Sequence, residues 1–429
     1  MHKTHLRERF ATNAAVRPGE AVVAGGVQHP ERGYVRSPAA TLMADRLEGR
    51  GLRVQRAEVT AGVSGAEPGP QELDLVSYIG WDGVAVGIGV VASAQDAAAR
   101  RAVDEELSAW SDAMRSRRVI MAAIVPWCGG TSRALGIAQR RAALQPGPVY
   151  VVGRLTENPT VAQQLLAQGL IGVEDLDAVP DGATVLFAQH GVPLAVEAEA
   201  AARELTVVDA TCPLAASTRA EVRRLTGRGD TVVLVGREGD AALPGLASQA
   251  PEAVRVVGDV QDVSALHVTD PQRIAVVLQP GLSGKTTGPV LRALGARFGR
   301  VAPQHPSTLC DAADDRRAQI RSLAESCDTV LIAGAEDDPE SARISAVCLT
   351  SGAAAHCVAR LARLEPAWIA RSVTVGVTAT MCADPVLPGR LITALRGLGP
   401  VSVVERRVVT QSVSTPSGVA ETVLETTPW

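Results

Sequence analysis

The chain has 429 residues, is 46% hydrophobic and 21% charged, and carries a formal net charge of −4. That length and apolar content support two or three compact units and exclude disorder throughout. The slightly acidic balance and the 3% aromatic content argue against nucleic acid and anionic membrane as partners, because basic patches and stacked aromatics hold those.

Met1 to Arg9 is polar and basic, with no apolar segment behind it, so no secretion signal is expected. No run of eighteen apolar residues is present, so no membrane span is expected. Seven cysteines is a sparse, odd number. It suits reduced thiols in a cytoplasm and not a disulfide framework.

Along the chain, short Val-rich runs alternate with Gly/Pro/Asp turns and amphipathic Ala/Arg/Leu stretches. Continuous apolar runs are the mark of buried parallel strands, so the rhythm predicts an α/β fold. Strands are predicted at 21–25, 53–57, 84–90, 118–125, 149–153, 184–188, 206–209, 231–235, 254–257, 273–278, 328–333 and 373–378. Helices are predicted at 38–50, 95–115, 131–143, 160–168, 193–203, 214–227, 287–297, 311–325, 340–351 and 387–396. Residues 1–117 read as an N-terminal α/β domain with a linker-like stretch at 61–71, and 118–405 as a second region holding all seven cysteines. Residues 406–429 read as a partly disordered tail rich in Ser, Thr and Val.

In the N-terminal region, His29-Pro30-Glu31-Arg32-Gly33 stands before a helix. Such a loop can hold an anion at the helix N-terminus, but a structured turn and helix cap is the reading to prefer. Three later segments repeat one arrangement, a strand running into a cysteine with a helix behind it: Trp127-Cys128-Gly129-Gly130, Thr211-Cys212-Pro213 and Leu309-Cys310-Asp311. Ligands gather at the carboxyl ends of strands in open α/β sheets. Three such units meeting there would bring three thiols together, a donor set for a soft metal centre. The alternative is three unrelated core cysteines. Cys327 and Cys348 fit that plainer description, and Cys357 beside His356 does not make a metal pair. Gly284-Lys285-Thr286 looks like the end of a phosphate-binding loop, but position 279 is Gln where that pattern needs Gly. Nucleotide hydrolysis is therefore not expected.

The contexts of these cysteines resemble the 4-hydroxy-3-methylbut-2-enyl diphosphate reductase (LytB) family over roughly 118–400. Trp-Cys128-Gly-Gly-Thr-Ser-Arg-Ala-Leu is similar to the family's first cysteine signature. Gly-Pro-Val-Tyr-Val-Val-Gly at 147–153, Gln189-His190-Gly191-Val192-Pro193, Val-Asp-Ala-Thr-Cys212-Pro213 and Leu309-Cys310-Asp-Ala-Ala-Asp-Asp-Arg-Arg resemble its later motifs, in the same order. The resemblance implies three similar α/β units with small parallel sheets arranged around a central 4Fe–4S cluster, here with an added N-terminal domain. It implies Cys128, Cys212 and Cys310 as cluster ligands and one iron left open. It also implies two-electron reductive dehydroxylation of a small allylic substrate at that iron, for isoprenoid precursor synthesis, with electrons from a ferredoxin or flavodoxin. His190 is the remaining candidate for a polar catalytic group.

The departures from the family lie in the groups that would anchor a diphosphate. Its Val-His-Asn becomes Thr156-Glu157-Asn158, and its Gly-His-Pro-Glu-Val-Glu-Gly becomes Gly239-Asp240-Ala241-Ala242-Leu243-Pro244-Gly245, losing a histidine and the proton-delivering glutamate. Its Gln-Thr-Thr-Leu-Ser becomes Gln279-Pro280-Gly281-Leu282-Ser283. Its Ser/Asn-rich run becomes Ala335-Glu336-Asp337-Asp338-Pro339-Glu340-Ser341, and its Gly-Ala-Ser becomes Thr380-Met381-Cys382. Unit charges about 4 Å apart interact by about 4 kcal/mol at an effective dielectric near 20, so carboxylates at these places oppose a diphosphate. They suit a divergent substrate, such as an amine, or form a solvated face. A cluster-bearing sensor or interaction protein without turnover is the competing expectation, because the family's glutamate is absent at Ala242.

Overall fold

The computed structural model describes residues 5–12, 14–62, 71–122, 127–145, 147–415 and 418–426, with side chains to 406. Most of the linker-like stretch at 61–71 and the end of the strand predicted at 118–125 lie outside the described residues.

The elements in chain order are β1 (His5–Ala11), β2 (Glu20–His29), β3 (Gly33–Arg36), α1 (Ala40–Gly49), β4 (Arg53–Thr60), β5 (Gln71–Ile79), β6 (Ala85–Ser93), α2 (Ala97–Ala113) and β7 (Arg117–Met121). There follow α3 (Gly129–Leu144), β8 (Val149–Val152), α4 (Pro159–Ala167), β9 (Leu170–Val173), β10 (Thr184–Phe187), α5 (Leu194–Ala202), β11 (Thr206–Asp209) and α6 (Pro213–Gly227). Next come β12 (Thr231–Val235), α7 (Ala242–Ala247), β13 (Val254–Val257), α8 (Val260–Ala265), β14 (Ile274–Leu278), α9 (Gly284–Phe298) and α10 (Ala312–Glu325). The chain continues through β15 (Thr329–Ala333), α11 (Pro339–Thr350), β16 (Ala354–Val358), α12 (Pro366–Ile369), β17 (Thr374–Ala379), α13 (Leu387–Arg396), β18 (Val401–Glu405), β19 (Arg407–Thr415) and β20 (Gly418–Thr426).

Three small parallel sheets carry the expected α/β architecture, in strand orders β11-β10-β8-β9, β13-β12-β14 and β16-β15-β17-β7-β18. Their central strands, such as Thr-Val-Val-Leu-Val and Thr-Val-Leu-Ile-Ala, are β-branched and almost wholly buried, as sheets covered on both faces require. A fourth, mixed sheet of six strands is built from the N-terminal region in the order β1-β5-β6-β3-β2-β4. The C-terminal segment, expected as a partly disordered tail, forms the two-stranded sheet β19-β20. Its Val- and Thr-rich runs around Pro416-Ser417 have strand composition.

The described residues fall into two compact units, one from 1–125 and 319–407, the other from 126–318 and 408–426. In the first unit, α1, α2 and one face of the mixed sheet share a single core with β15, β17 and α13, centred on Trp110, Leu107, Leu331, Val375 and Leu391. The N-terminal region and the 319–407 segment are thus one hydrophobic body. Polar locks reinforce it. The Glu106 carboxylate, 1% exposed, accepts from Arg46, Arg50 and the Trp110 indole, and Arg46 reaches on to Glu365. Both arginines hold the Glu106 carboxyl below its usual range against the opposing cost of burial, the largest influence.

A second lock is the Arg117 guanidinium, 2% exposed, which is paired with no carboxylate among the described residues. It donates instead to the carbonyls of Ala113, Arg115, Ile369 and Leu398, closing the ends of α2, α12 and the turn after α13. Burial pushes its pKa down to about 10, so it stays charged at neutral pH and complements the negative helix ends. Replacing it by an apolar side chain strands several buried acceptors. Arg117→Met is expected to lower unfolding free energy by about 3 kcal/mol, read as a fall in the denaturation midpoint. An unchanged midpoint contradicts this role.

Candidate functional site

The second unit brings the three motif cysteines to the starts of three helices. Cys128 and Cys212 occupy the N-cap positions of α3 and α6, with extended backbones at ψ 168° and 134°. Pro213 at the first helical position suits a turn that needs no amide donor. Cys310 lies two residues before α10. It does not follow a regular strand as expected. Pro303 and Pro306 interrupt pairing, leaving one bridge between Ala275 and Ala302 and a short 3₁₀ turn over Pro306–Thr308.

Gly130 shows how close two of the sulfurs come. A Cβ placed there would stand 2.7 Å from the Cys212 Sγ and 3.6 Å from the Cys128 Sγ. The second glycine of the Cys128 motif is therefore a cradle that a side chain would fill. Cys310 joins the pair electrostatically. Burial is the main cause of its raised pKa, and the Cys128 and Cys212 thiols add to it, while the N–H groups of Ala312 and Gly281 point at its sulfur and oppose the rise. The Cys128 Sγ also lies 3.6 Å from the Thr131 hydroxyl.

The loops that carry these thiols are tied by named contacts. Arg133 of α3 donates to the Thr211 carbonyl at 3.1 Å, fixing the turn before Cys212. Asp209 accepts the Thr211 N–H at 2.8 Å, and the Cys212 N–H bonds the Gln189 carbonyl at 2.8 Å. From α6, the Thr218 hydroxyl bonds the Thr308 carbonyl at 3.0 Å and Glu221 accepts the His305 N–H at 2.8 Å, holding the segment before Cys310. Sequence reasoning did not single out Gly130, Gly281, Arg133, Thr218 or Glu221. Gly130 and Arg133 stood in the quoted cysteine motif and Gly281 in a quoted departure from the family, whereas Thr218 and Glu221 left no signal.

Three thiols at or next to helix N-termini, with backbone donors aimed at one sulfur, suit thiolates that bind a soft, electron-rich centre. Among the described residues no three His, Cys, Asp or Glu side chains stand close enough to share a single metal ion. Cys327 and Cys348 differ sharply. Both are buried among apolar side chains, which pushes their thiols up to about 12 and about 11. Cys357 and His356 part company: the thiol lies 3.8 Å from the Ser345 hydroxyl, and the imidazole stacks on Trp368 at 4.6 Å.

His190 sits in the turn between β10 and α5, beside Gly191 at φ +73°. A Cβ on Gly191 would stand 2.8 Å from the Arg219 Nη1, so glycine is required by both conformation and space. Burial depresses the His190 pKa, and the facing carboxylates of Asp240 and Glu157 partly offset it. The imidazole is accordingly neutral at pH 7. Asp240 also accepts the Ala242 N–H at 3.0 Å, and Glu157 pairs with Arg154 at 2.9 Å.

The other motif segments resolve as structure. His29 is buried, and its Nδ1 accepts the N–H groups of Glu31 and Arg32 at 3.0 and 3.1 Å, which makes the His29–Gly33 loop a side-chain-capped turn. The Ser283 hydroxyl caps α9 by accepting the Thr286 N–H.

Comparison with known proteins agrees with this arrangement of motifs. Residues 119–396 match the family model described as LytB protein. The chain is 37% identical over 299 residues to the 4-hydroxy-3-methylbut-2-enyl diphosphate reductase 2 of Mycobacterium bovis, covering 69% of this chain and 91% of that protein. It is 34% identical over 310 residues to the 4-hydroxy-3-methylbut-2-enyl diphosphate reductase of Bordetella pertussis, covering 72% and 95%. The solved structure of the E-1-hydroxy-2-methyl-but-2-enyl-4-diphosphate reductase from Plasmodium falciparum shares its fold, with TM-score 0.57 at 19% identity over 68% of this chain and 92% of that one. A second solved (E)-4-hydroxy-3-methyl-but-2-enyl diphosphate reductase aligns with TM-score 0.56 at 22% identity, covering 65% of this chain and 99% of its own. The chain belongs to the LytB family, with its first 118 residues lying ahead of the matched region.

Proposed function

We propose that this protein is a 4Fe–4S reductase that binds its cluster through Cys128, Cys212 and Cys310 and removes a hydroxyl group from a small allylic substrate. The observation that carries the reading is the meeting of three thiols, two beside Gly130 and the third within electrostatic reach of both. A cluster bound by three thiolates supplies electrons one at a time and retains one iron without a protein ligand. The reaction adds two electrons and two protons, breaks the allylic C–O bond and releases the oxygen as water. A ferredoxin- or flavodoxin-type protein is the proposed donor in a cytoplasmic setting. Among the described residues no helix is long and apolar enough to cross a membrane.

The protein's own part is to hold, orient and protonate. The helix starts at α3, α6 and α10 and the N–H groups of Ala312 and Gly281 lower the cost of negative charge on the sulfurs. A neutral His190 ring can hydrogen-bond a substrate hydroxyl, and Asp240 and Glu157 favour its passing through the protonated form. The second reading, a cluster-bearing sensor without turnover, rests on Ala242. That methyl is buried in α7 where the family's glutamate would stand, so the position offers no acid. Reoxidation of the reduced protein by an added allylic alcohol distinguishes turnover from sensing.

Anaerobically prepared protein is expected to hold about four iron and four sulfide per chain, and Cys212→Ala to lose most of both. Gly130→Ala is expected to lower the content as well, because its methyl group would press on the Cys212 Sγ at 2.7 Å. Full cluster content in Cys212→Ala would contradict the ligand assignment. By NMR titration the His190 ring is expected to protonate below the ordinary 6.5. Asp240→Asn removes a group that raises the value, so it should shift the midpoint further down, and an upward shift would contradict the pairing.

A further inference from the structure

A cavity of about 270 Å³ lies in the unit formed by 1–125 and 319–407, at the edge of its parallel sheet. Every residue that lines it belongs to that unit, and none is a motif cysteine or His190. Its volume is just under the range usual for ligand sites, so it suits a small metabolite. The sequence explains the space. Ala342 of α11 and Ala355 of β16 stand in the wall where larger side chains would fill it. β16 is the edge strand of the sheet. The Ala354 N–H bonds the Asp328 carbonyl, and the Val358 carbonyl accepts the Gly334 N–H. The backbone groups of Ala355 and Cys357 therefore turn away from β15, and both residues line the cavity.

The rest of the wall is polar. The His356 ring lies parallel to the Trp368 indole, with centroids 4.6 Å apart and planes at 4°. Burial lowers its pKa, which leaves a neutral ring with one donor and one acceptor. The Cys357 thiol and the Ser345 hydroxyl stand 3.8 Å apart in the same wall. Two opposite charges complete it. Glu336 follows β15, and Arg363 ends the 3₁₀ turn Leu361–Arg363 after β16. Both side chains line the cavity, yet among the described residues neither makes a hydrogen bond or an ion pair. Elsewhere in this unit Arg7, Arg9, Arg46, Arg50 and Arg100 all find carboxylates.

We infer that this cavity binds a small zwitterion of the α-amino-acid class, its carboxylate held by Arg363 and its ammonium by Glu336. An anion would be attracted by Arg363 and opposed by Glu336, and a cation the reverse. A molecule with both charges meets each with its opposite. The outward backbone groups of Ala355 and Cys357 and the Ser345 hydroxyl offer it further hydrogen bonds, and the stacked His356 and Trp368 rings offer a flat apolar surface to its carbon chain. The site is separate from the proposed cluster site, and the inference stands whether or not the reductase reading holds.

The test is calorimetric titration of the full-length, cluster-loaded protein with L-serine, L-valine and L-methionine, followed by the N-acetyl and carboxamide derivatives of whichever binds most tightly. At least one amino acid is expected to bind, and each derivative, lacking one charge, to bind about tenfold more weakly. Glu336 and Arg363 are exposed, so Glu336→Gln and Arg363→Gln are compatible with the fold, and each is expected to weaken the amino acid about tenfold. Glu336→Gln should weaken the N-acetyl derivative no further, and Arg363→Gln should weaken the carboxamide no further, because the partner charge is already gone. The bound amino acid should also slow alkylation of Cys357 by iodoacetamide, read by mass spectrometry of its peptide. No binding by any of the three amino acids, derivatives that bind as tightly as their parent, or affinity unmoved by either substitution overturns the inference. Iron and sulfide measured on the same samples test the cluster assignment separately.

Discussion

The arrangement of the second unit depends on one constraint: three soft, electron-rich side chains from distant parts of the chain must be held near one another without closing into a disulfide or collapsing into a core. Local backbone geometry meets part of it. N-cap residues have extended dihedrals, and Cys128 and Cys212 take that position at the positive ends of α3 and α6 without spending their thiols on a cap hydrogen bond. Glycine at 130 meets another part by leaving room beside the Cys212 sulfur. The remainder is met by cross-ties. Arg133 reads the carbonyls ahead of Cys212, and Thr218 and Glu221 read the backbone ahead of Cys310. Each tie leads from one cysteine-bearing helix to the loop of the next cysteine, so the three thiols are set by one connected scaffold.

The burial contrast among the cysteines separates chemistry from packing. Cys327 and Cys348 lie in an apolar core, where desolvation keeps a thiol protonated and inert. Cys310 is also desolvated, yet two backbone N–H groups point at its sulfur. A core cysteine needs no such donors. Charge tells a similar story about the segments where the family carries its anchoring residues. Asp338, Glu340, Asp314 and Asp240 each receive a backbone N–H, so they are fixed parts of the fold and not a loose solvated face.

Much of this was legible in the sequence, because the long amphipathic helices and the doubly buried strands leave strong periodic signals. The helix predicted at 387–396 coincides with α13, and that at 214–227 differs from α6 by one residue. The strands missed are those whose patterning is weak or mixed. Gln71–Ile79 carries Asp74 and Ser77 on a sheet that packs on both faces, and edge strand β16 contains His356 and Cys357. Short helices such as Ala242–Ala247 and Pro366–Ile369 are too brief to show a period. At the site, the cysteines and His190 could be named from local motifs. The N–H groups of Gly281 and Ala312 could not, because a backbone donor has no letter in the sequence and its aim is set by tertiary structure. The bond between Glu340 and Met381 was hidden for the same reason, since the sequence shows the carboxylate but not the amide it holds.

The central claim is that three protein thiolates, and no fourth, hold a four-iron cluster. Mössbauer spectroscopy of protein loaded anaerobically with ⁵⁷Fe reads this directly, since iron bound by a protein thiolate differs from iron that is not. The account predicts a four-iron signal whose one distinct site shifts when a small ligand is added while the others hold still. A mononuclear signal, a two-iron cluster, or four irons indifferent to added ligand would contradict it.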